Sequence, residues 1–178
     1  MPLYLVRHAP VLVTGTCYGQ IDVPTAVGPK ESISRVQAQL PPQFSADRVW
    51  SSPLARCAGL AHAYESPASI EPRLMEANFG LWEGLTWDEI HNRFPMEMDE
   101  WGANWINHAP PMGESAHDVQ DRVQHWIGSL KPGTHLAFTH AGVIRATRVI
   151  LKGQSWEKAM EEAVPYLGVE RFSLPTDP

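Results

Sequence analysis

The chain has 178 residues, of which 43% are hydrophobic and 19% charged, a balance typical of a soluble globular protein with one sizeable core. Fourteen basic against twenty acidic side chains give a net charge of −6, which disfavours nucleic acid or an anionic membrane as a partner. No apolar run is long enough to cross a bilayer, and residues 1–10 do not resemble a signal peptide. The two cysteines, Cys17 and Cys57, lack the spacing of a metal or redox motif, so we expect a reduced, cytoplasmic setting and a single domain over residues 1–178.

Strand-like and helical segments alternate along the chain. The first, Leu3 to Val6, is apolar at every position, as in a strand buried on both faces, and Pro10 takes the chain out of the sheet. Capping-box spacing predicts a helix after Thr86, with Trp87, Ile90 and Phe94 on its buried face, and a second start lies in Glu114–Asp118. The alternation predicts an α/β fold with a mostly parallel sheet. Further strands are predicted within residues 47–53, 135–142 and 168–174, and further helices within 30–40, 54–64 and 143–151.

Basic and imidazole side chains stand where three of these strands end. Arg7 and His8 follow the first strand, Arg56 follows the second within "SSPLAR", and His140 follows the third within "THAG". Each residue alone is equally typical of a solvated or capping side chain. If the strands are neighbours, however, two arginines and two histidines meet beside helix N-termini, an arrangement that suits a phosphate. The arginines would also hold the histidines neutral, and a neutral imidazole is a nucleophile.

Four segments resemble the histidine phosphatase, or phosphoglycerate mutase-like, superfamily. They are "LVRHAP", "SSPLARCAGLA", "LMEANFGLWEGLT" and "FTHAGVIRA", which occur in the family's order and cover most of the chain. The resemblance implies a three-layer α/β/α sandwich with a mostly parallel central sheet. It also implies that His8 is the nucleophile that becomes phosphorylated and that Arg7, Arg56 and His140 hold the phosphoryl oxygens. Glu76 is similar in position to the family's proton donor to the leaving group.

The turn after His8 departs from the family's pattern. The family usually places a glycine, an acidic residue and a hydroxyl residue there, whereas this chain has Ala9, Pro10 and Val11. If the glycine serves a backbone conformation with positive φ, alanine carries a strain of about 1 kcal/mol or more. Pro10 stiffens the turn, and Val11 removes a hydroxyl donor. A family position that often carries asparagine corresponds to Thr14. Because all the charged groups are retained, we interpret the turn as a variant of an active pocket.

Two other segments, "CYGQIDVP" and "WGANWINHAPPMGES", are similar to the α-ribazole phosphatase-like branch. The resemblance implies a metal-independent phosphomonoesterase that acts on a small phosphorylated metabolite, such as α-ribazole 5'-phosphate, through phosphohistidine. Phosphoglycerate mutase-type transfer and a non-catalytic phosphate-binding module on the same fold are the alternatives, and the short chain favours hydrolysis over transfer. Trp101 and Trp105 lie four residues apart, so they are core residues on one helical face or stack on the substrate.

The remaining chemistry-bearing residues are expected to be structural. His117, Asp121 and His125 recur every four residues but lie opposite an apolar stripe, which is typical of a solvated helix face and not of a metal site. Cys57 is expected to be a small packed side chain. Glu83 precedes the helix after Thr86, where the helix dipole favours a negative charge, so we assign it a structural role. We expect no metal and no cofactor, and the sequence leaves the oligomeric state open.

Overall fold

A five-stranded sheet carries the fold of the part of the chain that this computed structural model describes, residues 1–64 and 67–175. The strand order is β3-β2-β4-β1-β5, and the first four strands run parallel. The last strand, β5, runs antiparallel to β1. The strands are β1 (Pro2–Arg7), β2 (Arg48–Ser51), β3 (Ala68–Ile70), β4 (His135–Thr139) and β5 (Val169–Ser173), and the helices are α1 (Pro29–Gln37), α2 (Ala55–Ala63), α3 (Trp87–Arg93), α4 (Pro95–Asn104), α5 (Ala116–Gly128), α6 (Ala141–Lys152) and α7 (Trp156–Glu161).

Alternate residues of the central strands bury against opposite helical layers. Leu3 and Leu5 of β1 join a core with side chains of α5 and α6, whereas Tyr4 and Val6 join a second core with side chains of α1 and α2. All five residues of β4 are buried, which agrees with its position in the middle of the sheet. The predicted three-layer α/β/α sandwich is therefore confirmed, as is its mostly parallel sheet.

The predicted helix starts are confirmed by their caps. Thr86 caps α3 through a reciprocal pair with Glu89, and Ser115 caps α5 through the same kind of pair with Asp118. The buried face expected for α3 is correct for Ile90 but wrong for Trp87, which is 42% exposed. Trp87 stacks instead on another tryptophan in the neighbouring helix, at 6.4 Å between ring centroids. None of the helices in residues 1–64 and 67–175 is both long and apolar enough to cross a membrane.

Candidate active site

The parallel register of the sheet brings the predicted site residues together. Arg7, the last residue of β1, pairs with Thr139, the last residue of β4, so His8 and His140 leave the sheet side by side. Their ring centroids are 5.1 Å apart. β2 lies on the other side of β4, and the helix that follows it carries Arg56 in its first turn. All four side chains therefore meet at the carboxyl edge of the sheet, where open α/β folds bind their ligands.

His8 is held as a neutral imidazole with one free nitrogen. Its Nδ1 lies 2.8 Å from the carbonyl oxygen of Ala9, and a carbonyl only accepts, so Nδ1 carries the proton. Nε2 is then the nitrogen with the free lone pair. Burial lowers the pKa of His8 from 6.5 to about 3, and the charges of Arg56 and Arg7 act in the same direction. The imidazole is therefore uncharged at neutral pH, which leaves the lone pair of Nε2 available.

Two arginines flank this ring, each fixed by backbone carbonyls. Arg7 donates from Nη1 to the carbonyl of Val164. Arg56, which is 4% exposed, donates to the carbonyls of Ile21 at 2.8 Å and Gly19 at 2.6 Å. The Nε–H groups of both arginines are buried, and neither has a hydrogen-bond partner within the described residues. Buried donors are rarely left unpaired, so these two mark a place for an acceptor that arrives with a ligand.

His140 lies at the N-cap of α6 and is fully buried. Its Nε2 is 2.8 Å from the hydroxyl of Ser52, which fixes the orientation of the ring. Burial lowers the pKa of His140 well below its usual value, and the charge of Arg56 adds to this shift. The two histidines are therefore both neutral, and the positive charge of the site comes from the two arginines.

The Glu76 carboxylate lies at the start of α6, on the same edge. It accepts the backbone N–H of Gly142 at 3.1 Å and that of Ala77 at 2.9 Å. The approach depends on glycine, because a Cβ on residue 142 would overlap the carboxylate oxygen. Glu83 has the structural role that was predicted, but for a different reason. Its carboxylate accepts the N–H groups of Gln20 and Phe79, and so joins two loops.

The unusual turn after His8 carries no left-handed strain. Ala9 is not among the described residues with positive φ, so the strain expected from the missing glycine does not arise. The Pro10 carbonyl accepts the backbone N–H of Ala26 at 2.7 Å, and Val11 forms an isolated bridge with Thr25. Thr14 is exposed. The turn is thus fixed by backbone contacts, and it supplies no side-chain donor to the pocket.

An aromatic cavity of about 440 Å³ opens beside the strand edge and reaches Arg7 and Glu76. Trp101 and Trp105 both line it and are only partly buried, so they are not simply core residues. Each also packs edge-on against another tryptophan, at 5.5 and 5.9 Å between ring centroids. The other aromatic side chains of the lining are Phe79, Trp87 and Trp156, with Tyr18 at the end nearest the arginines.

Sequence reasoning missed one cation of this cavity. Arg145 lines it from α6, and its Nε is buried without a hydrogen-bond partner among the described residues. Burial lowers the pKa of Arg145, and the charge of Glu76 partly opposes this shift. The signal was present in "FTHAGVIRA", because Arg145 follows Ala141 by four residues and shares its helix face.

The residues expected to be structural lie outside this site or are packed beneath it. His117, Asp121 and His125 lie on α5, and the described part of the chain holds no cluster of side chains suited to a metal ion. Cys57 is fully buried, with its sulfur 3.4 Å from the Thr139 carbonyl and from His140 Nε2. Burial raises the pKa of this thiol, so it stays protonated as a small packed group.

The fold and the site together define an α/β protein with a neutral histidine and two arginines at the carboxyl edge of its parallel strands, the edge where open α/β folds bind their ligands. The family model described as "Histidine phosphatase superfamily (branch 1)" matches residues 3–176, and the chain belongs to that superfamily.

Known proteins of similar sequence and fold agree with this membership. The 6-phosphofructo-2-kinase/fructose-2,6-bisphosphatase of Caenorhabditis elegans is 28% identical over 130 residues, which cover 71% of this chain and 27% of the relative. The chain thus spans about a quarter of the length of the curated relatives it matches. The α-ribazole phosphatase of Shigella flexneri superposes with a TM-score of 0.84 at 24% identity, covering 96% of this chain and 89% of the other. A second solved structure, TTHB049 of Thermus thermophilus, gives a TM-score of 0.75 at 28% identity, covering 98% of this chain and 95% of the other.

Proposed function

We propose that this protein is a metal-independent phosphomonoesterase that hydrolyses a small phosphorylated metabolite through a phosphohistidine at His8. The observation that carries the proposal is the neutral His8 ring, with its free Nε2, between Arg7 and Arg56. The orphaned Nε–H groups of these arginines match the oxygens of a phosphoryl group. A phosphate-binding module would need the arginines but gives no reason for a histidine that is kept uncharged with a free ring nitrogen.

The first chemical step follows from this geometry. His8 Nε2 attacks phosphorus, the N–P bond forms, and the bond from phosphorus to the ester oxygen breaks. Arg7, Arg56 and His140 hold the phosphoryl oxygens while their charge is redistributed. The departing alkoxide takes a proton from Glu76. In the second step Glu76 accepts a proton from water, which attacks phosphorus and releases orthophosphate and the free histidine.

The cavity supports a substrate with a flat aromatic leaving group, such as α-ribazole 5'-phosphate. It begins at Arg7 and Glu76, where the ester oxygen would lie, and continues between tryptophan rings. Aromatic rings gain about 0.5–1.5 kcal/mol from stacking in addition to the burial of their surface. A phosphoglycerate, which is small and polar, would leave these rings uncovered. The same proposal includes a cytoplasmic setting, with which two free, buried cysteines are consistent. Its partner is a small phosphorylated substrate, and neither nucleic acid nor a membrane is part of the proposal.

Turnover of p-nitrophenyl phosphate in excess chelator tests the reaction class. We expect a rate that the chelator does not change, and acid-labile, base-stable phosphate on the peptide that contains His8 after quenching. His8→Ala should abolish both, with an unchanged circular dichroism spectrum. Phosphate on the peptide that contains His140 would make His140 the nucleophile in place of His8. A rate that falls when the chelator is added would contradict the metal-independent mechanism.

A panel of phosphorylated metabolites tests the substrate class. We expect α-ribazole 5'-phosphate to give a higher kcat/KM than phosphoglycerates or sugar phosphates. Trp105→Ala should reduce that preference while turnover of the smaller esters stays near the wild-type rate. Equal kcat/KM values across the panel, or transfer of phosphate between sugar hydroxyls without release, would contradict the proposal.

A further inference from the structure

Two tyrosines from distant parts of the chain cover the phosphoryl-binding edge. The Tyr166 ring stacks on the guanidinium of Arg7, 3.6 Å from its central carbon, and its centroid is 5.6 Å from that of His8. The Tyr18 ring lies 5.4 Å from the guanidinium carbon of Arg56. We call these two residues the tyrosine pair. Each ring thus lies against one of the two arginines, and His8 beneath them is only 2% exposed.

The backbone beside Tyr166 is bound to the same strand end that carries the nucleophile. Leu167 donates to the carbonyls of Arg7 at 3.0 Å and His8 at 3.3 Å, and Gly168 accepts the N–H of Arg7. Leu167 adopts a φ of 58°, a left-handed conformation that is uncommon for a non-glycine residue and is kept here by those bonds. Tyr166 is therefore presented to the site by a fixed loop.

Tyr18 is fixed in a comparable way on the opposite side. Its neighbour Cys17 donates to the carbonyl of Leu85 at 2.9 Å, and the Tyr18 carbonyl accepts the N–H of Ile21 at 2.8 Å. The hydroxyls of the pair then meet at 3.5 Å, the outer limit of a hydrogen bond. Burial raises the pKa of Tyr18 to about 12, so its hydroxyl keeps its proton and stays a donor.

We propose that the tyrosine pair completes the phosphoryl pocket, each hydroxyl donating a hydrogen bond to a phosphoryl oxygen of the bound dianion. The weak contact between the two hydroxyls is then exchanged for two charge-assisted bonds, which are the stronger kind. The rings keep their places on the arginines. The pair supplies the hydroxyl donors that Ala9, Pro10 and Val11 do not provide. This inference rests on the proposed phosphatase function, since it assigns the remaining donors of the same site.

Phenylalanine variants test the hydroxyls without removing the rings. We expect Tyr18→Phe and Tyr166→Phe each to weaken the binding of orthophosphate, measured by calorimetry, about 10-fold or more, and the double variant to lose more. The kcat/KM for p-nitrophenyl phosphate should fall in parallel, while the melting temperature stays at the wild-type value. Tyr64→Phe is the matched control, because Tyr64 packs against Phe138 in the core, and it should change neither quantity.

Unchanged orthophosphate affinity in the double variant would overturn the proposal. A loss of affinity that Tyr64→Phe reproduces would also overturn it, because the effect would then not belong to the site. Calorimetry separates this inference from the proposed function. A wild-type protein that binds orthophosphate but hydrolyses no ester contradicts the phosphatase, whereas the affinities of the variants still decide the role of the pair.

Discussion

Burial of the His8 ring has a measurable consequence for stability, which His8→Asn should remove. The pKa of this imidazole is about 3 in the folded protein, against 6.5 for the free side chain. Between these values the unfolded chain binds a proton that the native protein refuses, so stability falls as the pH decreases below 6.5 and is constant above it. At pH 5 the unfolded histidine is almost fully protonated, and the resulting loss from this one group is ~2 kcal/mol relative to pH 8.

Urea denaturation at pH 8, 7, 6 and 5 measures this loss. The wild type should lose ~2 kcal/mol more than His8→Asn over that range, because asparagine does not titrate. His140, whose pKa is lowered in the same direction, steepens both curves equally. His125→Asn is the control, because it makes the same substitution at an exposed position of α5. Parallel curves for the wild type and His8→Asn would show that burial does not keep this imidazole neutral.

Four further predictions concern the residues of the site. Arg7→Ala and Arg56→Ala should each lower kcat/KM by ~10²–10³, with kcat falling too. An increase in KM without a fall in kcat would instead show that the arginine binds the substrate and the transition state equally. Glu76→Gln should cost ~10²–10⁴ in kcat with an alkyl phosphate but much less with p-nitrophenyl phosphate, whose leaving group needs no proton. Glu83→Gln should instead lower the midpoint of urea unfolding. If Glu83→Gln shows the leaving-group dependence and Glu76→Gln does not, Glu83 is the proton donor and Glu76 is the structural residue. Gly142→Ala, whose methyl group would displace the Glu76 carboxylate, should reproduce the leaving-group dependence of Glu76→Gln, and equal losses with both esters would contradict that contact.

The central strands were predictable because burial on both faces leaves a plain signal in the sequence. In Leu3–Val6 and in the strand before His140, both odd and even positions are largely apolar. Both faces of these strands are buried, because a helix layer covers each side of the sheet. β3 gave no such signal, since it has only three residues and two of them are exposed. The direction of β5 could not be predicted either, because a short strand with alternating apolar residues has the same sequence pattern in a parallel and in an antiparallel pair. The single-domain assignment over residues 1–178 stays a prediction.

The part of the site that lies at strand ends was predictable for the same reason. Once the strands are parallel neighbours, residues that follow them directly must meet at one edge, as Arg7, His8 and His140 do. Tyr18 and Tyr166 are 148 residues apart, and only tertiary packing brings their hydroxyls together. No local pattern in the sequence encodes such a contact.

The charges of the site explain why two buried histidines beside two arginines suit the proposed reaction. With both imidazoles neutral, Arg7 and Arg56 supply two positive charges beside the phosphoryl dianion, and Arg145 adds a third in the adjoining cavity. Transfer to His8 leaves the phosphoryl charge between the same guanidinium groups, but the ring itself gains a positive charge, because Nδ1 keeps its proton while Nε2 forms the bond to phosphorus. The proton that leaves Glu76 creates a matching negative charge on a half-buried carboxylate beside the ester oxygen, where the backbone N–H groups of Ala77 and Gly142 stabilise it. The positive charge on the phosphorylated ring and the negative charge on Glu76 therefore appear in the same step, so the net charge of the site does not change during the transfer.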